Sequence, residues 1–145
     1  MDLVQKGCPF CKMIQHRSGA VVVHEDEEIL AVMDRYPATP GHVLVLPKEH
    51  IENIYAIPAE LGARIMATAI AVAKAIKQKI SIDGLNLIQS SELAAGQTIA
   101  HFHLHIVPRY NSDPVSLRFG HGNVPAKIND LEKVASLISS ALVIR

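Results

Sequence analysis

The chain carries no excess of charge of either sign, and it has no long run of apolar residues. Its 145 residues include 14 lysines and arginines and 14 acidic residues, so the formal net charge is zero. Sequence-independent binding to nucleic acid needs a basic surface, and we therefore expect no nucleic-acid partner. No stretch approaches the roughly 20 apolar residues of a membrane-spanning helix, so we expect no membrane partner either.

The sequence also lacks internal repeats and low-complexity linkers, and residues 1–6 lack the apolar core of a secretory signal. Apolar residues make up 49% of the chain and charged residues 19%, which is typical of a globular protein rather than a disordered one. We expect one cytoplasmic domain over residues 1–145. Residues 110–145 would form a C-terminal extension whose path the pattern does not define.

Hydrophobic periodicity predicts an α+β fold: a mainly antiparallel five-stranded sheet, one long helix packed on it and a C-terminal helix. The predicted strands are residues 21–25, 28–34, 42–46, 85–89 and 99–108. The long helix is predicted from Pro58 to about Ile80, and Asn129 is predicted to cap the last helix. The apolar stripe of the long helix is Leu61, Ile65, Ala69, Val72, Ile76 and Ile80, and that of the last helix is Leu131, Val134, Ile138 and Leu142.

Three histidines alternate with apolar residues in the segment His101-Phe102-His103-Leu104-His105. In a strand, this period of two places all three imidazoles on one face. The composition of the chain predicts only about 0.02 such triplets by chance. A solvated polar face is the simplest alternative, but imidazole can also act as nucleophile, acid or metal ligand near neutral pH. The row therefore predicts a functional site.

The only two cysteines, Cys8 and Cys11, form a C-x-x-C pair. One interpretation is a redox motif of the glutaredoxin type, which requires a strand before the first cysteine and a helix after it. Only seven residues precede Cys8, and they show no strand pattern. A second interpretation is a structural zinc site, in which two imidazoles complete a closed tetrahedral shell. The third is a pair of free, buried cysteines that act as small apolar residues.

The histidine segment resembles the H-φ-H-φ-H-φ-φ motif of the histidine-triad (HIT) superfamily. Three further segments agree: Gly96-Gln97-Thr98-Ile99 is similar to the family's G-Q-[ST]-V, residues 40–50 (PGHVLVLPKEH) to its P-G-H-x-L-V-x-P-K-x-H, and residues 83–86 (DGLN) to its D-G-x-N. The resemblance covers residues 7 to 110, and the motifs occur in the family's order.

The resemblance implies a role for individual residues. His103 would be the nucleophile, His105 would contact the phosphate and the leaving group, and His42 would support them. The nucleotide would be held by a further set of residues, which comprises Asp34 at the ribose, Gln97, Thr98 and Ser90 at the phosphate, and Phe10 at the base. The zinc-containing branches of the superfamily imply one structural zinc on Cys8, Cys11, His50 and His101.

The implied function is hydrolysis or transfer at the α-phosphate of a nucleotide conjugate, most simply a purine one, through a nucleotidyl-histidine intermediate. Dinucleoside polyphosphate hydrolysis and non-catalytic nucleotide binding on the same fold are the alternatives. The loop Gln89-Ser90-Ser91-Glu92 departs from the family's usual N-N-G, which leaves the substrate preference open. Related branches form two-fold dimers, so the resemblance also implies a homodimer.

Overall fold

The structure, a computed structural model, describes residues 5–117 and 124–144. The chain divides into two compact units, one that ends at Val115 and one that begins at Ser116. The elements of the first unit are α1 (Pro9–His16), β1 (Val22–Glu25), β2 (Ile29–Met33), β3 (Val43–Pro47), α2 (Ala59–Lys79), β4 (Gly84–Gln89) and β5 (Leu104–Arg109). The second unit contains α3 (Ile128–Ala141).

The five strands form one sheet in the order β1-β2-β3-β5-β4, and every neighbouring pair is antiparallel. The predicted α+β class, with five antiparallel strands, one long helix and a C-terminal helix, is therefore confirmed. No helix in the described residues is long and apolar enough to span a membrane.

The sheet of the first unit has two apolar faces. On one face, Val45, Leu104 and Ile106 pack with the buried side of α2 in the larger core cluster. On the other face, Leu44 and Leu46 pack with α1 residues in a smaller cluster. Because side chains alternate along a strand, the residues of β3 and β5 that do not face α2 must face the α1 side, and this is the side of the predicted site.

Most of the predicted stripe of α2 is buried, from Leu61 to Ile76, which explains why periodicity located this helix. Its ends differ slightly from the prediction. Pro58 is the residue before the helix and accepts a hydrogen bond from Gly62 N–H at 2.9 Å. Ile80 lies just after the helix and is 38% exposed, so it does not belong to the buried stripe.

The predicted strand at residues 99–108 is wrong in its first half, because β5 begins only at Leu104. Before that point, His101 N–H donates to the Ile99 carbonyl at 2.8 Å, and Phe102 N–H donates to the Ile51 carbonyl at 2.6 Å. The backbone thus bonds to a local turn and to the loop after β3 instead of to β4. The histidine row therefore extends from a bend into a strand.

The predicted cap of the last helix is also wrong. Helix α3 begins at Ile128, with Lys127 before it and no side-chain cap, so Asn129 lies inside the first turn. The predicted stripe falls on this helix up to Ile138, and Leu142 follows its last residue. None of the stripe residues is buried in the described structure.

Candidate active site

His103 lies immediately before β5, and His105 lies on it. Their rings are 4.8 Å apart between centroids. Phe10 of α1 contacts the His103 ring edge-on at 5.0 Å and the His101 ring at 5.8 Å. The three imidazoles therefore lie on the α1 side of the sheet, as the alternation predicted, although only His105 belongs to a regular strand.

A backbone carbonyl fixes the tautomer of His103. Its Nδ1 lies 2.7 Å from the His101 carbonyl oxygen, which can only accept a hydrogen bond. The proton of the neutral ring is therefore on Nδ1, and Nε2 keeps its lone pair. Burial lowers the pKa of His103, although the His101 carbonyl and the Asp34 carboxylate act in the opposite direction. The neutral, nucleophilic form is thus the one that the site favours.

A second chain of hydrogen bonds orients His105. Ala38 N–H donates to His42 Nδ1 at 3.0 Å, so the proton of neutral His42 is on Nε2. His42 Nε2 lies 2.9 Å from His105 Nδ1 and donates to it. The remaining nitrogen of His105, Nε2, therefore carries a proton. His105 is oriented as a hydrogen-bond donor to an anionic group.

Asp34 lies beside this pair. One carboxylate oxygen is 3.4 Å from His42 Nε2, and the other accepts from Tyr36 N–H at 2.8 Å. Asp34, His42 and His105 are close enough to resemble a metal site. The hydrogen-bond pattern argues against metal binding there. His42 Nδ1 already accepts a hydrogen bond from Ala38 N–H, and His42 Nε2 keeps its hydrogen to donate to His105. Asp34 is better placed to orient His42 and to accept from a bound hydroxyl group.

The loop before β3 positions His42 by a close approach of backbone to the end of β5. Gly41 has φ +90°, and a Cβ there would lie 3.1 Å from the Pro108 side chain. Thr39, which is buried, donates its hydroxyl to the Pro108 carbonyl at 2.5 Å. Glycine is required at residue 41 both for its conformation and for the space.

Burial is also the main cause that lowers the pKa of the other two histidines. The pKa of His105 falls to about 4, with nearby His103 and His42 adding to the effect and Asp34 opposing it. The pKa of His42 is also lowered, because burial outweighs the opposing effect of the Asp34 carboxylate. All three rings are therefore neutral near pH 7, as their hydrogen-bond pattern requires.

A cavity of about 400 Å³ opens in front of the histidines. Its walls include His103, His105, Thr98 and Asp34, and its apolar side is formed by Phe10 together with the residues Pro9, Met13, Ala20, Val32, Leu44 and Ile99. A concave apolar site with a few convergent polar groups is typical of small-molecule binding sites. Five of the eight residues predicted for catalysis or nucleotide binding line this cavity; His42 lies directly behind His105.

The structure places Gln97 and Ser90 differently. The buried Gln97 amide donates to the Glu52 carbonyl at 2.7 Å and to the Ile99 carbonyl at 3.2 Å, and its oxygen accepts from Glu92 N–H at 2.7 Å. Both of its N–H groups are used, so Gln97 braces the loop in this structure, and its contact with a phosphate stays a prediction. Ser90 comes directly after Gln89, the partner of Leu104 in the β4–β5 register, and it does not line the cavity.

Sequence reasoning missed several residues that line the cavity, of which Ser18, Gly19, Arg35 and Tyr36 are the ones with polar or backbone groups. The first two lie in the loop between α1 and β1, and the others follow Asp34 after β2. No motif marked them, because their approach to the cavity depends on how two loops fold.

A second cluster joins Cys8 and Cys11 to His50 and His101, and their sulfur and nitrogen atoms all lie within 4.8 Å of one another. Cys8 Sγ is 3.5 Å and Cys11 Sγ is 3.6 Å from His101 Nδ1, and Cys11 Sγ is 3.3 Å from His50 Nδ1. Ligands about 2.0–2.3 Å from a tetrahedral zinc are separated from one another by such distances.

The chemistry of these donors also fits a metal. His101 is fully buried, and its Nε2 donates to the Pro47 carbonyl at 2.8 Å, so Nδ1 points its lone pair at the thiols. Metal-bound histidines commonly hold their second nitrogen in this way. Cys8 Sγ accepts from Cys11 N–H at 3.4 Å, and Cys11 Sγ accepts from Gln5 N–H at 3.4 Å. The two cysteines are not disulfide-bonded.

A buried histidine row at the end of a central strand, an adjacent apolar cavity and a Cys₂His₂ cluster define a histidine-triad type of site. The model of the HIT domain matches residues 15–112 of this chain. The chain belongs to the HIT family.

Known proteins with similar sequences and structures agree with this family membership. The chain is 36% identical over 143 residues to "Protein hit" of Bacillus subtilis (strain 168), a match that covers 94% of this chain and 95% of that protein. It is 34% identical over 110 residues to the adenylylsulfatase HINT3 of Arabidopsis thaliana, covering 76% of this chain and 56% of that protein. A crystal structure of a HIT family member from Bacillus subtilis superposes with a TM-score of 0.88 at 35% identity, covering 97% and 100% of the two chains.

A zinc-bound histidine triad family protein from Mycobacterium smegmatis also has a similar structure, with a TM-score of 0.71 and 33% identity. The match covers 94% of this chain and 98% of that protein.

Proposed function

We propose that this protein is a nucleotidyl hydrolase or transferase in which His103 attacks the α-phosphate of a nucleotide conjugate. The observation that carries the proposal is the 2.7 Å hydrogen bond from His103 Nδ1 to the His101 carbonyl. It leaves Nε2 unprotonated beside a cavity large enough for a nucleoside.

The chemistry follows in two steps. His103 Nε2 forms a bond to the α-phosphorus, and the bond from phosphorus to the leaving group breaks. The leaving group departs with the electron pair of that bond and takes up a proton from solvent. Water, or another acceptor in a transferase, then attacks phosphorus and gives its proton to solvent, and the P–N bond breaks, which returns the electron pair to Nε2. The N–H of His105 and the Thr98 hydroxyl stabilise the phosphate charge as it develops.

The remaining polar groups bind and orient the substrate. Asp34 accepts hydrogen bonds from the ribose hydroxyls, and the apolar wall that includes Phe10, Met13 and Val32 holds the base. His42 is a positioning residue, because it fixes the tautomer of His105 and lies behind it.

The intermediate supplies the test. The reaction is quenched rapidly in base and not in acid, because a phosphoramidate is stable to base and labile to acid. We expect this quench to trap a nucleotide on the peptide that contains His103. The substrate panel consists of AMP-amine conjugates, a dinucleoside polyphosphate and, because one relative is an adenylylsulfatase, adenylyl sulfate. Inversion of configuration at a chiral phosphorothioate would indicate direct attack by water and would contradict the two-step scheme.

We further propose that Cys8, Cys11, His50 and His101 hold one structural zinc ion. Four protein ligands leave no open position for water, so the ion would stabilise the fold rather than activate a nucleophile. Two thiolates also balance the charge of Zn²⁺, which suits the burial of three of the four ligands. Paired thiols that ligate a metal are typical of a reducing compartment, and a cytoplasmic location is the corresponding proposal.

A homodimer remains part of the proposal. The support is an exposed apolar pair on the outer side of α2: Met66 is 42% and Ile70 47% exposed, and their i, i+4 spacing places them next to each other. Sedimentation equilibrium tests it directly. A monomer at micromolar concentration would remove the dimer without affecting the proposed chemistry.

A further inference from the structure

The candidate nucleotide cavity has two ends. At one end lies His105 of β5, which pairs with Leu44 of β3, and Leu44 pairs with Val32 of β2. All three residues line the cavity. Neighbouring strands are about 4.8 Å apart, so Val32 lies about 10 Å across the sheet from His105. The cavity continues past β2 to the loop that precedes β1, where Ser18 and Gly19 line it.

Arg35 reaches this far end. A Cβ placed on Gly19 would lie 3.4 Å from Arg35 Nη1, so the guanidinium lies directly against the loop. Arg35 is the only arginine in residues 5–117 and 124–144 with no hydrogen bond or ion pair there. The other described arginines are paired with acidic residues: Arg17 with Glu25, Arg64 with Glu28, and Arg109 with Asp113. An unpaired guanidinium beside an apolar cavity is available to a ligand.

The chemical needs of a nucleotide divide between the two ends. The phosphate must lie at the histidine end, because His103 attacks it there. Asp34, which lies 3.4 Å from His42, is placed for the ribose. A base that continues from the ribose over Leu44 and Val32 toward Gly19 would bring its polar edge to the Arg35 guanidinium.

We propose that Arg35 selects the base and that the protein prefers nucleotides of 6-oxopurines, such as guanine, to those of adenine. This inference rests on the proposed function. A guanidinium carries five N–H donors in a planar fork and no acceptor. Guanine presents two adjacent acceptors, O6 and N7, which arginine binds with two parallel hydrogen bonds.

Other bases do not satisfy the same fork. Adenine places an amino donor next to N7, so one guanidinium N–H would face another donor and lose its partner. Uracil offers one carbonyl in place of the O6/N7 pair, and cytosine again presents an amino group on its exposed edge. Arg35 thus favours guanine by attraction and disfavours adenine by mismatch.

The experiment compares guanosine, inosine and adenosine 5′-phosphoramidates that share one amine leaving group. We expect the wild-type kcat/KM for guanosine to exceed that for adenosine by about tenfold, as one two-bond contact typically provides. Inosine should follow guanosine, because it retains O6 and N7 and lacks only the 2-amino group. Arg35→Met should bring the guanosine-to-adenosine ratio close to one.

Two variants separate charge and general effects from base selection. Arg35→Lys keeps the positive charge but not the planar fork, so it should also lose most of the preference. Arg64→Met, on the exposed surface of α2, should retain the wild-type ratio. Calorimetric Kd values for GMP and AMP provide the same ratio without any turnover.

The outcomes distinguish this inference from the proposed function. Equal kcat/KM and equal Kd for guanine and adenine in the wild type would overturn the role of Arg35, as would an unchanged ratio in Arg35→Met. Inosine that behaves like adenosine would show that another edge of the base is recognised, and would overturn it too. No turnover of any conjugate, with GMP bound more tightly than AMP through Arg35, would contradict the proposed catalysis and leave base selection supported.

Discussion

At His103, a single backbone hydrogen bond determines which ring nitrogen is free to react. The proton that Nδ1 donates to the His101 carbonyl cannot be shared with Nε2, and burial lowers the pKa so that a second proton is disfavoured. Replacement of the His103 ring should therefore remove the candidate nucleophile and leave the shape of the cavity unchanged.

We therefore expect His103→Asn to lower turnover by on the order of 10³-fold or more, as removal of a nucleophile does in other enzymes. Nucleotide affinity should change by less than about tenfold, or about 1.4 kcal/mol, because the apolar wall and Asp34 remain. Single-turnover kinetics and calorimetry with a nucleoside monophosphate measure the two effects. His24→Asn, on exposed β1, is the matched control; a His103 variant that reacts at the wild-type rate would exclude it as nucleophile.

Single residues also show what the sequence could and could not predict. The sequence predicted that His103, His105 and His42 lie together, as they do in the structure, because a period of two and a short motif are local signals. Gln97 donates a hydrogen bond to the Glu52 carbonyl, whereas Arg35 has no hydrogen bond within the described residues. Both facts are consequences of loop folding. They depend on residues far apart in the chain, which no local pattern reports.

At the scale of elements, the cysteine pair connects three parts of the first unit. Cys8 and Cys11 lie at the start of α1, His50 follows β3, and His101 precedes β5. The same cluster explains why β5 begins late. Alternating His and apolar residues predicted a strand from Ile99, but the bend that brings His101 to the thiols replaces strand pairing over residues 99–103.

Long, strongly periodic elements were predictable, and their ends were less so. Helix α2 buries Leu61, Ile65, Ala69, Val72 and Ile76 at helical spacing, so its pattern is set by one large core. Helix α3 has an apolar stripe but no side-chain cap, because Asn129 lies within its first turn. A capping residue is a weaker signal than a stripe, since a neighbouring residue can begin the helix without one.

The cluster of Cys8, Cys11, His50 and His101 gives the prediction at this scale. Cys8→Ser should lower zinc content and melting temperature together, because binding energy at a closed site contributes to folding energy. Turnover should fall mainly through lost stability, and the nucleotide intermediate should still form, since His103 is not a ligand. Elemental analysis of protein purified without chelator, together with thermal unfolding, measures this.

His16→Asn is the control for that variant, because His16 is exposed in the last turn of α1, outside the cluster. It should retain both zinc and melting temperature. Wild-type protein with no metal above trace would contradict the zinc site, and the cysteines would then act as small apolar residues.

For the whole molecule, stability should depend on pH through the buried histidines. The pKa of His105 falls from 6.5 to about 4 in the folded protein, chiefly because of burial. Between pH 4 and pH 6.5, the unfolded chain binds a proton at this histidine and the folded chain does not, so acidification favours unfolding. The contribution of neutral His105 to the free energy of unfolding is fully present above about pH 6.5 and is lost as the pH falls toward 4. The hydrogen bond from His42 strengthens this effect, because His105 Nδ1 is already occupied as an acceptor.

We expect His105→Gln to lose less free energy of unfolding between pH 7 and pH 5 than the wild type does. One proton accounts for at most about 1.4 kcal/mol per pH unit. Urea unfolding at both pH values, with excess zinc throughout, keeps the acid response of Cys8, Cys11, His50 and His101 the same in both proteins. Asp34, His42 and His103 face the substituted side chain and remain in the variant. His24→Gln, at an exposed histidine, should follow the wild-type pH dependence; if His105→Gln follows it as well, the folded protein binds a proton at His105 as readily as the unfolded chain does.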